Sequence, residues 1–188
     1  MIYRLSINPG NPYHMPRNPP LALPIAHGAL RFLIALNALF GAGILALLTT
    51  TFINGPWTIR ALGVSGFGDA GTVMTGMRAI SALGLVSIPL VHAMLTRLLA
   101  IVVTVRAGDP FVPGNAQRLQ GIAWVLLALQ LLSVAIAGIA RAISTAAHPF
   151  HVDAGFSVTG WLAVILIFIL ARVFAEGTVM REDLEGTV

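Results

Sequence analysis

The sequence contains no cysteine and no lysine, and only 10% of its 188 residues are charged. Without cysteine, the chain can form no disulfide, no thiolate metal site and no cysteine nucleophile. All 11 cationic residues are arginines, scattered along the chain rather than gathered in a basic run with interleaved aromatic residues, so we expect no direct contact with nucleic acid. The sequence also lacks a paired nucleophile and base, paired intramembrane carboxylates and a HExxH zinc motif. We therefore predict neither an enzyme nor a cofactor.

Apolar residues dominate what is present. Hydrophobic residues make up 57% of the chain, and the mean hydropathy is +0.88, far above the balance of soluble domains. Four apolar runs are long enough to cross a hydrocarbon core as helices, about residues 32–53, 79–105, 119–140 and 156–174. We predict an all-α integral membrane protein whose four transmembrane helices form two hairpins within a domain of residues 29–180. The lipid bilayer is its first expected partner.

The remaining segments are short and polar. Residues 1–28 are rich in proline, which predicts a disordered tail, and residues 181–188 form a charged tail. Between the first two runs, the stretch from Asn54 to Met77 is rich in glycine and predicts a loop. No segment is long enough for a second folded domain.

The arginines near the ends of the four runs are distributed unevenly between the two sides of the membrane. Seven lie on the side of both termini and three on the other: Arg17, Arg31, Arg97, Arg106, Arg118, Arg172 and Arg181, against Arg60, Arg78 and Arg141. Because arginine accumulates on the cytoplasmic side, we predict that both termini are cytoplasmic. The expected location is the cell inner membrane, with several passes.

The stretch from Gly108 to Leu119, GDPFVPGNAQRL, is the polar elbow between the second and third runs. Gly108 and Asp109 are predicted to end the preceding helix, because two prolines follow at once. Asn115 is predicted to be the N-cap of the next helix.

Polar residues recur at helical spacing inside the runs. Asn37 and Gly41 share a face of the first run, which predicts close packing against a neighbouring helix and a hydrogen bond from the amide. The second and third runs each carry a polar face, made of Arg78, Ser81, His92 and Thr96 and of Gln130, Ser133 and Arg141. Since lipid penalises such faces, we expect them to pack against each other, with Gly84 and Ala137 beside them.

The loop between the last two runs contains three residues that can bind metals, namely His148, His151 and Asp153. Pro149 interrupts any helical spacing between the histidines, and metal sites usually rest on rigid elements with supporting hydrogen bonds. We therefore predict no metal site, and these three residues are the only candidates.

Two segments, GDPFVPGNAQRLQGIAW at the elbow and ARVFAEGTVMREDLEGTV at the end, resemble the membrane protein family called domain of unknown function two-nine-seven-five (DUF2975). The resemblance covers roughly Arg78 to Val188. It implies four transmembrane helices, a bacterial source and a gene often adjacent to one for a small helix-turn-helix regulator. It implies no activity and no catalytic residues.

These observations leave two functions open. The first is a regulatory protein that presents the elbow and the charged tail to a soluble partner, for which a helix-turn-helix regulator is the candidate; its expected docking residues are Arg106, Asp109, Arg118, Glu182, Asp183, Leu184 and Glu185. The alternative is a small transporter or channel lined by the two polar faces. A four-helix bundle has little lumen, so transport would require an oligomer. The sequence does not determine the oligomeric state.

Overall fold

The computed structural model describes residues 22–63, 69–144 and 155–185. These residues form five helices and no strand. The helices are α1 (Ala22–Ile53), α2 (Gly55–Ala61), α3 (Ala70–Arg106), α4 (Pro113–Ile143) and α5 (Val158–Glu185).

Four of the helices are long and apolar enough to span a membrane, which confirms the predicted class of a multi-pass all-α membrane protein. They contain 32, 37, 31 and 28 residues, so even the shortest is about 42 Å long at 1.5 Å per residue. A hydrocarbon core is only about 30 Å thick. Each long helix therefore extends past the hydrocarbon on at least one side.

Most of the helices extend beyond the apolar runs, although α1 ends with its run at Ile53 and α5 begins two residues inside its run, at Val158. Helix α1 begins at Ala22, inside the segment predicted as a tail, and residues 1–21 lie outside the described part. Helix α5 continues to Glu185, so the predicted charged tail is helical over its first five residues. Runs of charge-free residues locate the hydrocarbon, whereas the helix continues wherever its backbone hydrogen bonds can continue.

The glycine-rich segment before α3 was predicted to be a loop, and this prediction is wrong for most of its described residues. The Asn54 side chain accepts a hydrogen bond from the Trp57 backbone N–H at 3.1 Å and starts α2. The Asp69 carboxylate accepts one from the Thr72 backbone N–H at 3.0 Å and starts α3. Residues 64–68 lie outside the description. Capping and the burial of Val73 outweigh the low helix propensity of glycine here.

The long helices pack in the order α1, α3, α4, α5, and α2 packs on α1. Within the described residues, no other pair of helices packs to a comparable extent. The four long helices therefore form an open row, with α3 and α4 in the middle. Helix α4 is the most buried of the spans, and its Ile122 and Ala123 have almost no exposed surface.

The contact between α1 and α3 confirms the packing predicted for Asn37 and Gly41. The Asn37 amide donates a hydrogen bond to the Ile88 carbonyl of α3 at 3.0 Å. Gly41 is buried, and a Cβ atom there would lie 3.0 Å from Cγ2 of Ile88. The missing side chain thus permits the close approach of the helices that brings the amide within reach of the carbonyl.

Gly76 plays a similar role between α3 and α4. A Cβ atom at Gly76 would lie 2.5 Å from Cγ2 of Ile143, a buried β-branched side chain that has few alternative rotamers. Gly138, by contrast, is exposed on α4 with no atom near its hypothetical Cβ.

We expect Gly76→Ala to destabilise the protein by about 1–3 kcal/mol, because α3 and α4 would have to separate. The matched change Gly138→Ala should be neutral or stabilising by up to about 1 kcal/mol, since alanine is the better helix former. Thermal unfolding in detergent measures both. The double variant Gly76→Ala with Ile143→Ala should lose less than the sum of the single changes; strict additivity would show that these residues do not clash.

The predicted orientation is testable at exposed residues that are expected on opposite sides of the membrane. Leu62 follows α2 and is 45% exposed, and Gln117 is exposed in the first turns of α4. With cytoplasmic termini, a cysteine at Leu62 should react with an impermeant thiol reagent in intact cells, and one at Gln117 should react only after permeabilisation. Because the natural chain has no cysteine, each single variant reports one site. If Gln117→Cys is labelled in intact cells and Leu62→Cys is not, the predicted orientation is wrong and the termini lie on the other side.

Candidate functional site: the elbow and the end of α5

The elbow is built around the side chain of Asn115, which is 0% exposed. Its amide donates hydrogen bonds to Oγ1 of Thr104 at 2.7 Å and to the carbonyl of Pro110 at 2.9 Å. Its carbonyl oxygen accepts a hydrogen bond from Arg118 at 2.8 Å. The amide therefore joins the last turns of α3, the connecting loop and the first turns of α4.

The prediction that Asn115 is an N-cap is wrong. Helix α4 begins at Pro113, with Val112 at the N-cap position and no side-chain cap. Proline suits the first position because it has no N–H to leave unpaired there and its φ angle is already helical. Asn115 thus lies inside the first turn, where its side chain turns back to Thr104 of α3.

The end of α3 agrees with the prediction. The helix ends at Arg106, and Gly108 adopts a positive φ of 87° that glycine tolerates without strain. The backbone N–H groups of Ala107, Gly108 and Asp109 donate to the carbonyls of the last turn of α3 at 3.1–3.2 Å. These hydrogen bonds turn the chain sharply towards α4.

The elbow contacts the end of α5 through an aromatic side chain. The rings of Phe111 and Phe174 have centroids 5.2 Å apart and are tilted by 31°. One turn further along α5, a Cβ atom at Gly177 would lie 3.3 Å from the Phe111 ring. The missing side chain of Gly177 therefore leaves room for the ring.

An ion pair continues this contact. Arg181 donates to the Asp109 carboxylate, and the side chains are 45% and 42% exposed, respectively. Phe174, Gly177 and Arg181 recur at helical spacing, so one face of α5 lies along the elbow. An exposed ion pair contributes only about 0–1 kcal/mol, but here it adds to the aromatic contact.

The predicted docking residues divide into three groups. Asp109 and Arg118 are engaged within the protein, the first with Arg181 and the second with Asn115. Arg106, Glu182 and Asp183 are exposed. The side chains of Leu184 and Glu185 lie outside the description, although α5 extends to Glu185. The predicted surface of elbow and tail thus combines engaged and exposed charges.

The predicted contact between the polar faces of α3 and α4 is wrong. On α3, Arg78 donates to the Thr51 carbonyl of α1 at 2.7 Å, and its guanidinium lies 4.2 Å from the centre of the Phe52 ring. Gly84 also faces α1, where its nearest neighbour is Ile44. Residues on one face of α3 can contact different neighbours, because α3 packs between α1 and α4.

Two further residues of the α3 face, His92 and Thr96, do not meet α4 as predicted. His92 is exposed, whereas Ser81 of the same face is buried. The Thr96 hydroxyl donates to carbonyls of its own helix, those of His92 and Ala93. A threonine that bonds its own preceding turn has no donor left for a neighbouring helix.

The polar residues of α4 face the start of α5. The Gln130 amide donates to the Ser157 carbonyl at 3.4 Å. The Ser133 hydroxyl accepts from the Gly155 backbone N–H at 2.9 Å, and Ala137 is close to the same glycine. Arg141 is exposed near the end of α4. These side chains therefore satisfy the backbone before α5 rather than lining a path between α3 and α4.

Sequence analysis treated Arg97 only as an orientation signal and missed its structural role. The Arg97 guanidinium donates to the Gly121 carbonyl of α4 at 3.3 Å, and a Cβ atom at Gly121 would lie 3.0 Å from it. Within the sequence, the available signal was an arginine inside an apolar run, which must find a partner in the protein or reach the interface.

The family described as protein of unknown function (DUF2975) matches residues 45–188. The chain belongs to this family. The match starts within α1 and so extends further towards the N-terminus than the two segments that suggested the resemblance. No curated protein and no solved structure matches the chain.

This DUF2975 protein contains no group of three or more potential metal ligands within residues 22–63, 69–144 and 155–185. The candidates His148, His151 and Asp153 lie outside these ranges.

Replacing Asn115 by alanine tests the centre of the elbow. Asn115→Ala should lower the stability of this DUF2975 protein by about 2–3 kcal/mol, because the Thr104 hydroxyl and the Pro110 carbonyl lose a buried partner. Gln117→Ala, an exposed change two residues away, should remain within about 0.5 kcal/mol. Thermal unfolding in detergent compares them, and equal midpoints for the two variants would show that the elbow does not depend on Asn115.

Proposed function

We propose that this DUF2975 protein is a regulatory membrane protein that presents a composite surface, formed by the elbow and the end of α5, to a soluble partner. The observation that supports this proposal is the contact between the two segments, in which Phe111 packs on Phe174 and Gly177 and Asp109 pairs with Arg181. Helix α5 is longer than the hydrocarbon is thick, so its end is available outside the bilayer. Fixing it to the elbow gives a partner one ordered surface.

The charge of the surface favours a basic partner. Glu182 and Asp183 are exposed at the end of α5, and Glu185 follows in the sequence. The family resemblance implies a neighbouring gene for a helix-turn-helix regulator, and proteins of that kind carry basic surfaces. Complementary charge directs such encounters and selects between partners. A cytoplasmic helix-turn-helix regulator is therefore the partner that we propose, with the surface on the cytoplasmic side of the inner membrane.

The alternative is an oligomeric transporter or channel. This function would require the polar faces of α3 and α4 to line one path across the membrane. Three of the described side chains of those faces bond elsewhere, Arg78 to α1 and Gln130 and Ser133 to the backbone before α5. Among the described residues, no specific contact favours transport over the interaction function.

We expect Asp183→Arg to reduce retention of the purified helix-turn-helix regulator on the tagged, detergent-purified protein by about fivefold or more, because two like charges would then face each other. The matched control is Arg60→Glu, a charge reversal at an exposed residue of α2 on the other side of the membrane. It should leave retention unchanged. Thermal unfolding of both variants separates loss of docking from loss of fold.

A second variant tests whether the surface is composite. Gly177→Leu should displace Phe111 and separate the elbow from α5, and so weaken retention without any change of charge. Gly138→Leu places the same side chain on an exposed part of α4 where nothing lies within 4 Å, so it should have no effect. If the wild-type protein does not retain the regulator, or if neither Asp183→Arg nor Gly177→Leu reduces retention, the proposed function is wrong.

A further inference from the structure

A groove separates the first turns of α4 from the last turns of α5, on the same side of the membrane as the elbow. Its cavity measures about 490 Å³, within the range of about 300–1,000 Å³ that is typical of small-molecule sites. Ala116, Ala171 and Ala175 line it. Their short side chains leave the space between the two helices unfilled.

The polarity of the groove increases along α5. Its apolar end is lined by Phe168, whose ring meets the Trp124 ring edge-on at a centroid distance of 5.3 Å. Gln120 and Arg172 line the middle, and Glu182 lines the far end. The lining of the groove thus changes from an aromatic ring to an amide and a cation, and then to a carboxylate. A phospholipid in one leaflet becomes more polar in the same direction, from its acyl chains to its head group.

Arg172 is placed to bind a phosphate. Its Nε atom donates to Glu176 at 2.7 Å, and the side chains of this pair are 78% and 59% exposed. The guanidinium thus reaches about one turn along α5 towards Glu182. Because an exposed i,i+4 pair is weak, the guanidinium can exchange the carboxylate for a phosphate, which it binds with two parallel N–H groups.

Glu182 supplies the opposite charge. It lies on the same face of α5 as Phe168 and Ala175, and it forms no ion pair with any other residue in the described part of the chain. A carboxylate at the head-group level of a groove repels an anionic lipid but accepts hydrogen bonds from an ammonium group.

We propose that the groove binds one phospholipid whose head group carries both a phosphate and a primary ammonium, as in phosphatidylethanolamine. An acyl chain lies against Phe168 and the alanines, the phosphate binds Arg172 with the Gln120 amide as a further donor, and the ammonium binds Glu182. A choline head group lacks the N–H donors, and a glycerol head group lacks the positive charge. The proposal concerns the protein without a partner, although Glu182 also belongs to the proposed docking surface, and its test uses lipid alone.

Fluorescence of Trp124 provides the test, because this residue lies at the apolar end of the groove. The full-length protein with Trp57→Phe and Trp161→Phe keeps Trp124 as its only tryptophan, and it is reconstituted in phosphatidylcholine vesicles. Phosphatidylethanolamine or phosphatidylcholine with brominated acyl chains is then titrated over the same range of mole fractions, starting from low values. We expect brominated phosphatidylethanolamine to quench Trp124 at about a tenth of the mole fraction that brominated phosphatidylcholine requires.

Substitutions of Glu182 and Arg172 test which part of the head group each side chain binds. Glu182→Gln should abolish the difference between the two lipids, and Arg172→Gln should weaken quenching by brominated phosphatidylethanolamine about tenfold. Ala175→Phe fills the groove and should abolish the preference, whereas Ala42→Phe, at an exposed position of α1, should preserve it.

Three outcomes would overturn the proposal. Equal quenching by the two lipids in the single-tryptophan protein would mean that Trp124 senses only bulk lipid. Stronger quenching by brominated phosphatidylglycerol than by brominated phosphatidylethanolamine would mean that Glu182 does not contribute. The third outcome is a loss of quenching as the protein-to-lipid ratio is raised. It would mean that the protein self-associates and that a second copy of the chain covers the groove.

Discussion

Neighbouring long helices are joined by polar side chains that donate hydrogen bonds to backbone carbonyls across the interface. Among the described residues, such pairs of donor and acceptor include Asn37 and Ile88, Arg78 and Thr51, Arg97 and Gly121, and Gln130 and Ser157. A donor within a bilayer must find its acceptor in the protein because no water competes there. A helical carbonyl already accepts one hydrogen bond, but its second lone pair can accept another. Small residues matter for the same reason, since a side chain at Gly121 would occupy the space of the guanidinium.

This constraint explains which part of the fold could be predicted from the sequence. Span number and helical class follow from run length and hydropathy, which are local properties. The partner of each polar residue is not local, because a carbonyl acceptor leaves no mark in the sequence. Asn37 was placed correctly because Gly41 marks a close approach on the same face. Gln130 was misplaced because a polar residue on α3 looked like a better partner than a backbone carbonyl before α5.

The elbow shows the same division between local and tertiary control. Gly108 and the prolines end α3 by backbone geometry alone, so the sequence predicts this end correctly. Asn115 has the residue type of an N-cap, yet Pro113 can start the helix without one. The amide is thereby released to bind Thr104, a contact between two helices that no local pattern encodes. The contact between Phe111 and Gly177 could not be predicted from the sequence for the same reason, because the whole of α4 and most of α5 lie between them.

In a closed bundle, many contacts would connect α3 with α5. In this open row, the elbow provides much of that connection. Among the described helices, α5 packs extensively only on α4, so α3 and α5 are connected chiefly through α4 and through the elbow that joins α4 to α3. The elbow contacts the end of α5 through Phe111, while Asn115 fixes it to Thr104 of α3. A load applied at the end of α5 therefore reaches α3 by two routes, the helix interface and the elbow. The elbow route begins at the contact of Phe111 with Phe174, because the exposed ion pair of Asp109 and Arg181 is weak, and it continues to α3 through the Asn115 amide.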